Sequence, residues 1–378
     1  MTQLPLVTLA MPVYNVSKFV ERSLLSALNQ TYRNIEFLIV DDCSTDNSMD
    51  IVRQTVNAHK RSADVRIIHH PGNQGLGDTR NTAIKEAKGE YIYFMDSDDI
   101  ISSCCIEVLV NYMLENPVDF IAASRERRTF DGKLISTDQY QPYTVKDDHR
   151  STLPVAYFRY VENHKILAEV WNKLYNVDFL RKNKIRCIPH VHVEDVSFSL
   201  QVNIAAKSCR LVPDVLYVYH IYEGQSFAAF NNNHERALYL ADCFVKIRKY
   251  DADIVSSYSN CEEYAALIAG VYNVTLLHSQ MIVKSSVLSK KEKQNFLNFL
   301  WKVNYSLSDI LRLKHKAKYA LCYWGMSCLP KSIKYSLIKY YILKCLILPI
   351  ISSSKIYFLL TSFLHCGRCN LCQQVIIP

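Results

Sequence analysis

Four apolar runs, each ending in a turn, constrain this chain more than any other feature. Leu6 to Met11 reads as a buried strand stopped by Pro12, and Ile35 to Val40 as a second strand ending at Asp41-Asp42. Val65 to Ile68 reads as a short third strand, and Glu90 to Met95 as a fourth ending at Asp96. Helical spacing recurs between them. Phe19, Val20, Ser23, Leu24, Ala27 and Leu28 follow a Ser17 cap, Met49 to Ala58 follows Ser44-Thr45-Asp46, and Thr79 to Lys88 closes at Gly89. Strand–helix alternation at this spacing predicts βαβ units, and so an α/β fold with a mostly parallel sheet flanked by helices.

Sheets of this kind bind ligands beyond the carboxyl ends of their strands. The residues falling there are Pro12-Val13-Tyr14-Asn15, Asp41-Asp42, Gly75 to Arg80, and Asp96-Ser97-Asp98-Asp99. Turn preference accounts for any one of these loops, but poorly for carboxylates at the ends of both long strands. Asp96 and Asp98, two residues apart, can reach the same side and share one hard cation, Mg²⁺ or Mn²⁺. Asp99 extends the cluster, and three carboxylates this close repel one another without a cation. A divalent ion there would neutralise a diphosphate and stabilise it as a leaving group.

Glycine is scarce, with 9 in 378 residues, where average usage would give roughly 26. Yet Gly72, Gly75, Gly77 and Gly89 fall close together. They do not spell Gly-x-Gly-x-x-Gly after the first strand, and no Gly-Lys-Ser/Thr loop exists, which disfavours a dehydrogenase and a P-loop NTPase. The permissive backbone is expected to bring Arg80 and its helix close to a nucleotide. Further along, a helix is expected over Ile100 to Val118 and a strand over Phe120 to Ala123, with irregular loops over 125–165. Mixed helix and loop follow at Trp171 to Leu180 and Val193 to Ala206, then a strand at Leu211 to Tyr219 and helices from about Glu235.

In order along the chain, MPVYN (11–15), IEFLIVDDCSTDNS (35–48), NQGLGDTRN (73–81), GEYIYFMDSDD (89–99) and VEDVSF (193–198) resemble the inverting nucleotide-sugar glycosyltransferases of glycosyltransferase family 2, bacterial surface-glycan type, over about residues 4–225. The resemblance implies the GT-A fold in residues 1–225, with 1–100 the nucleotide-binding half and 101–225 the acceptor-binding half. A helical extension (226–300) and a basic apolar tail (301–378) would follow. By that likeness Pro12, Tyr14 and Asp41 would contact the base and ribose of a UDP-sugar, with Asn15 and Ser97 in the same loops. Arg80 would approach the base or diphosphate, Asp96 the ribose or metal, and Asp98 the metal itself.

Inversion is one in-line displacement, so one carboxylate must take the acceptor's proton. The family likeness gives that role to Asp195, with Glu194 orienting donor or acceptor. The plain alternative is a helix start, where acids suit the dipole. Trp171, Asn172 and Lys173 match a stretch common in bacterial members: Trp171 could stack on a sugar or belong to the core, and Lys173 could pair with phosphate. His220 ends a strand where relatives carry a residue near the diphosphate or metal, although a lone histidine is more often structural. His190 and His192 fit a strand or loop wall better than a metal site.

The formal charge of +8 is uneven. From Trp301 to Pro378 there are eleven basic residues and one acid, Asp309, whereas the first 300 residues hold 33 basic and 35 acidic. The lysines at 331, 334, 339 and 344 lie among Tyr, Leu and Ile, but the uncharged runs are too short to span a bilayer. The tail therefore fits either an anionic membrane surface or a helical subdomain with a solvated basic side. No recognition motif points to nucleic acid. Thirteen cysteines and the lack of a signal-like start suggest reduced thiols, cytoplasmic and peripheral on the inner face of the cell membrane. The His365-Cys366-x-x-Cys369-x-x-Cys372 run has zinc-like spacing, but free thiols are the simpler reading.

The resulting expectation is a metal-dependent transferase moving one sugar from a UDP-sugar to a saccharide acceptor, plausibly polyprenyl-linked. A nucleotidyltransferase would share the acidic site but gives no reason for Glu194-Asp195. An inactive membrane scaffold gives none for the full acidic set.

Overall fold

The computed structural model describes residues 4–146, 168–222, 229–259, 264–302 and 317–347. Its internal contacts divide the chain into two units, Met1–Ala228 and Ala229–Pro378. In the first, β1 (Val7–Val13), β2 (Ile35–Asp41), β3 (Val65–His69) and β4 (Tyr91–Phe94) alternate with α1 (Val20–Leu28), α2 (Ser48–Ala58) and α3 (Leu76–Glu86). Then come β5 (Ile100–Ile101), α4 (Cys105–Glu115), β6 (Phe120–Thr129), β7 (Leu134–Asp138) and β8 (Tyr143–Lys146). The unit closes with β9 (Lys173–Asn176), α5 (Val177–Lys182), α6 (Asp195–Ala205) and β10 (Ser208–Ile221).

One sheet runs in the order β3-β2-β1-β4-β9-β6-β10-β5, with β7 on β6 and β8 on β10. The pairs β2–β3, β1–β2, β1–β4 and β6–β10 are parallel, and β9 lies antiparallel between β4 and β6. The expected α/β sheet is therefore present, parallel across β3-β2-β1-β4 and between β6 and β10, but mixed as a whole, since β5, β7 and β8 also pair antiparallel. Strand β1 is buried along its whole length, as a strand covered on both faces must be. Each of its fully buried Val and Leu side chains contributes roughly 1.5–3 kcal/mol.

Several local expectations are corrected. Pro12 does not stop β1: it pairs in register with Val40. Two residues earlier the Ala10 carbonyl accepts from Met95 N–H, so Pro12 turns its nitrogen to the same side, past the end of β4, where no ladder bond needs an N–H. Ser17 is not the cap of α1, which starts after Phe19 without a side-chain cap. Its N–H instead donates to Asp46 Oδ2 at 3.1 Å, while Asp46 Oδ1 accepts from Ser48 N–H at 2.9 Å ahead of α2. Residues 125–146 are not irregular: β6 continues to Thr129, β7 pairs with β6 and β8 with β10; the rest of the expected loop, 147–165, lies outside the described residues. These polar strands have mostly exposed or half-buried side chains, which is why no apolar run announced them.

The second unit is helical, with α7 (Ala229–Asn232), α8 (His234–Ser256), α9 (Tyr264–Lys284), α10 (Lys290–Leu300), α11 (Ala317–Cys328) and α12 (Lys331–Ile347). Asn233 caps α8, and Ser289 with Glu292 forms a capping box on α10. Trp301 donates its indole N–H to Ser279 Oγ at 2.9 Å and meets Tyr272 and Tyr323 edge-on. Among the described residues no helix is long and apolar enough to cross a membrane. The His365-to-Cys372 run and the tail beyond Ile347 lie outside the described residues.

Candidate active site

At the ends of β1 and β2 the loops are laced together by side chains that the sequence supplies at the turns. Asn15 sits at φ 51° and accepts through Oδ1 from Thr45 N–H at 2.8 Å. Val16 N–H donates to Ser48 Oγ at 2.7 Å. This lacing holds Pro12 at a buried strand end and leaves Tyr14 44% exposed above it. Asp41 Oδ1 accepts from Ser44 N–H at 2.9 Å, and its Oδ2 lies 2.9 Å from His69 Nδ1. Burial alone would push this carboxyl up, but the bonds from His69 and Ser44 outweigh it and hold Asp41 below the ordinary carboxylate range.

Asp42 faces the other way, as alternation along an extended chain requires. It is buried, lies 2.7 Å from His70 Nδ1, and accepts from Gln74 N–H at 2.9 Å and Gly75 N–H at 2.7 Å. His70 Nε2 continues to Thr82 Oγ1 at 2.9 Å. The sequence named Asp42 only as one of two strand-end acids. The structure makes it the anchor of the glycine loop.

The end of β4 repeats the pattern. Asp96 is partly exposed and accepts from Arg80 Nη2 at 2.8 Å. Ser97 is buried beside it. Asp98 accepts from Tyr222 O–H at 2.8 Å, and burial, reinforced by Asp96, pushes its carboxyl up to about 6. Asp99 is fully buried and accepts from Tyr217 O–H at 2.7 Å and His220 N–H at 2.8 Å. It is thus a buried latch and does not extend the outward cluster of acids. Burial, with Asp98 and Asp96 nearby, raises it well above the ordinary range.

Helix α3 joins this edge to the acidic pair. Gly75, at φ 91°, precedes the helix, in a conformation that costs glycine little. Gly77 packs so closely on the segment before α6 that a Cβ there would lie 2.8 Å from Ile188 O and 3.2 Å from Glu194 Cγ. One turn on, Arg80 donates to Glu194 Oε1 at 2.5 Å and to Asp96 Oδ1 at 2.8 Å, with its side chain 3% exposed. Asp96 and Glu194 raise the guanidinium pKa against the opposing effect of burial. The glycine cluster therefore brings α3 against Glu194.

Glu194 is buried ahead of α6, and Asp195 opens that helix half-exposed. Burial pushes Glu194 up while Arg80 opposes it. Burial and the neighbouring Glu194 push Asp195 up to about 7, against Arg80. Just before the pair, the β-branched Val193 sits at φ 70°, a strained conformation costing of order 1–3 kcal/mol that persists only where its surroundings over-determine it.

The remaining expected site residues divide. Trp171 is 7% exposed and stacks on Tyr217 at 4.5 Å and Tyr219 at 5.4 Å, with the Arg125 guanidinium over its ring. Lys173 is buried and donates to the Glu169 carbonyl, and burial lowers it to about 8. His220 is buried beside Phe130, and burial with Arg22 and Arg128 lowers it to about 4. It is not grouped with Asp96 and Asp98: among the described residues no three His, Cys, Asp or Glu side chains form a metal-holding cluster. His190 N–H donates to Asp78 Oδ2 at 3.2 Å on the loop before the pair.

Sequence reasoning missed Arg22, whose Nη2 lies 3.4 Å from the Asp98 carbonyl, and Tyr222, which also packs on Phe19. The Tyr217-x-Tyr219 alternation of β10 was a usable signal for one sheet face. Nothing marked Tyr222 or Arg22.

Residues 8–167 match the family described as glycosyl transferase family 2. An uncharacterized glycosyltransferase of Haemophilus influenzae is 42% identical over 113 residues, covering 30% of this chain and 44% of that protein. A poly(ribitol-phosphate) beta-glucosyltransferase of Bacillus spizizenii is 30% identical over 217 residues, covering 56% and 32%. The chain thus spans less than half the length of either relative. Among solved structures, S. aureus TarS 1–349 in complex with UDP-GlcNAc aligns with TM-score 0.52 at 20% identity, covering 90% of this chain and 88% of that one. That likeness is one of fold, the GT-A α/β sheet with helices after it.

Proposed function

The first unit of this chain carries a family 2 glycosyltransferase domain, and from that premise we propose that the protein moves a single sugar, with inversion, from a UDP-sugar to a saccharide hydroxyl. The observation that carries this reading is the half-buried Asp195 at the start of α6, next to Glu194, which Arg80 ties to Asp96 beyond the end of β4. A carboxyl near 7 suits a base working at neutral pH.

The acceptor oxygen forms a bond to the anomeric carbon while the bond from that carbon to the diphosphate oxygen breaks. UDP leaves with the electron pair, and the acceptor's proton goes to an Asp195 carboxylate oxygen. Tyr14, Asp41 and Asn15 bind base and ribose at the laced loops, with Pro12 and Ser97 shaping the floor. The match to a structure that holds UDP-GlcNAc supports the uridine donor.

A divalent cation fits this site. The outward acids Asp96 and Asp98 are hard oxygen donors whose mutual repulsion already raises Asp98, and Mg²⁺ or Mn²⁺ commonly pairs one or two carboxylates with substrate phosphates. Asp98 would hold it with Asp96 beside it, and the ion would offset charge on the departing diphosphate. His220 belongs to the packing around Asp99.

The acceptor is a surface-glycan saccharide, a reading supported by the poly(ribitol-phosphate) beta-glucosyltransferase relative, and polyprenyl-linked at the inner face of the membrane. Helix α12 supports that location. Ile333, Leu337 and Tyr340 are exposed at i, i+4 and i+7, and Lys339 is exposed near them. Flotation with phosphatidylglycerol vesicles but not phosphatidylcholine vesicles is expected, and equal behaviour with both would remove the membrane assignment.

The decisive experiment for activity is a panel of UDP-hexoses and UDP-N-acetylhexosamines, read by UDP release with and without chelator. Release with one donor class, abolished by chelation, is expected. No release with any donor would sink the transferase reading, and indifference to chelator would sink the metal.

A further inference from the structure

Arg80 stands in the part of the chain where a nucleotide ligand was expected, yet its position is that of an internal strut. Both ends of its guanidinium fork are engaged, Nη1 with Glu194 and Nη2 with Asp96, and the side chain is 3% exposed. The two acids come from opposite sides of the site. Asp96 follows β4, the strand paired with β1, while Glu194 immediately precedes α6, 114 residues beyond Arg80.

Two further observations show that the strut is built in. Gly77, one turn before Arg80, leaves no room for a Cβ against Ile188 O and Glu194 Cγ, so α3 is pressed onto the loop that carries Glu194. That loop includes Val193 at φ 70°, strain that needs a strong contact beside it to persist. A two-pronged, buried, charge-assisted bond is such a contact.

We propose that Arg80 is a positioning residue, a buried fork that fixes the distance between the donor-side carboxylate Asp96 and the Glu194-Asp195 pair, and that it does not bind the nucleotide. The proposal rests on the reading of Asp195 as base. It assigns Glu194 a matching role: its side chain receives the fork, so its backbone carries Asp195 into place at the start of α6. Around Asp195 stand the charges of Glu194, Arg80, Glu169 and Lys173. Glu194 raises the Asp195 carboxyl and Arg80 lowers it, so removing either charge moves the base in an opposite direction.

The test compares Arg80→Gln, Arg80→Lys and Glu194→Gln in the full chain. Arg80→Gln should lower kcat about 10²-fold, the scale of a misplaced reacting group, while the UDP dissociation constant stays within about threefold. Its acidic limb of kcat/KM should move to higher pH, and that of Glu194→Gln to lower pH. Arg80→Lys keeps the charge but cannot span both acids, so its limb should stay near the wild-type position while kcat falls.

A UDP affinity that falls in step with kcat in Arg80→Gln would make Arg80 a nucleotide ligand and overturn the proposal. Limbs that do not move, with kcat unchanged, would reduce the fork to a fold contact and overturn it equally. Should Arg80→Gln not fold, the other two decide: full kcat in Arg80→Lys together with an unmoved limb in Glu194→Gln refutes the strut. An active Asp195→Asn enzyme would instead refute the base assignment on which the proposal stands, which separates the two failures.

Discussion

At the end of β2 and again at the end of β4, two aspartates stand side by side, and in both places the second turns inward. Asp42 holds the glycine loop through two amides and His70, and Asp99 holds β10 through Tyr217 and the His220 amide. Their preceding neighbours differ. Asp41 is stabilised as a carboxylate by His69 and Ser44, whereas burial and Asp96 raise Asp98. The same dipeptide therefore yields one scaffold acid at each strand end, and of the two acids proposed for chemistry only Asp98 sits where charge is unfavourable without a ligand. A cation has most to offer there.

That division can be broken by substitution. The largest effect is expected from Asp98→Asn, which keeps shape and removes charge: turnover should fall by about 10³-fold, the scale of one lost charge-stabilising group, with the melting temperature close to wild type. Next comes Asp99→Ala, which leaves the Tyr217 hydroxyl and the His220 amide without their acceptor. Thermal or urea unfolding should show a loss of about 2–6 kcal/mol, since each of the two orphaned buried polar groups costs roughly 1–3 kcal/mol. If Asp98→Asn destabilised as much as Asp99→Ala, the scaffold-versus-chemistry division would be wrong. The smallest effect is expected from Asp41→Asn, which keeps a polar group at the proposed nucleoside contact: UDP titration should show affinity weakened about tenfold, or roughly 1.4 kcal/mol, with stability little changed.

Much of this was legible in the residues. The apolar runs located β1, β2 and β4 because strands so fully buried are apolar almost throughout, whereas the half-buried edge strand β3 showed only as a short run with Arg66 in it; the acids that follow the strands marked the edge where a site is proposed. The inward turn of Asp42 and Asp99 was readable in principle from alternation, since neighbours on an extended chain face opposite sides. Their partners were not, because His70 is 28 residues away and Tyr217 is 118. Strands β7 and β8 escaped notice because sequences such as LISTD carry no apolar period when both faces are wet. Pro12 misled because a proline that ends most strands is harmless at a residue whose nitrogen meets no neighbour. The Arg80 fork was the least legible feature, since nothing local distinguishes an arginine that binds phosphate from one that ties two carboxylates together.

The account turns on Asp195 as the group that takes the acceptor's proton. Because burial and Glu194 raise this carboxyl to about 7, it is protonated and inactive below that pH and ionised and active above it. The wild-type kcat/KM should therefore rise about tenfold per pH unit up to about 7 and then level, provided the free enzyme's base controls that limb. The most direct measurement is transfer by Asp195→Asn alongside UDP binding by calorimetry. Transfer reduced by at least about 10²-fold at every pH, with UDP affinity unchanged, is the predicted result. Wild-type turnover in that variant would contradict the account.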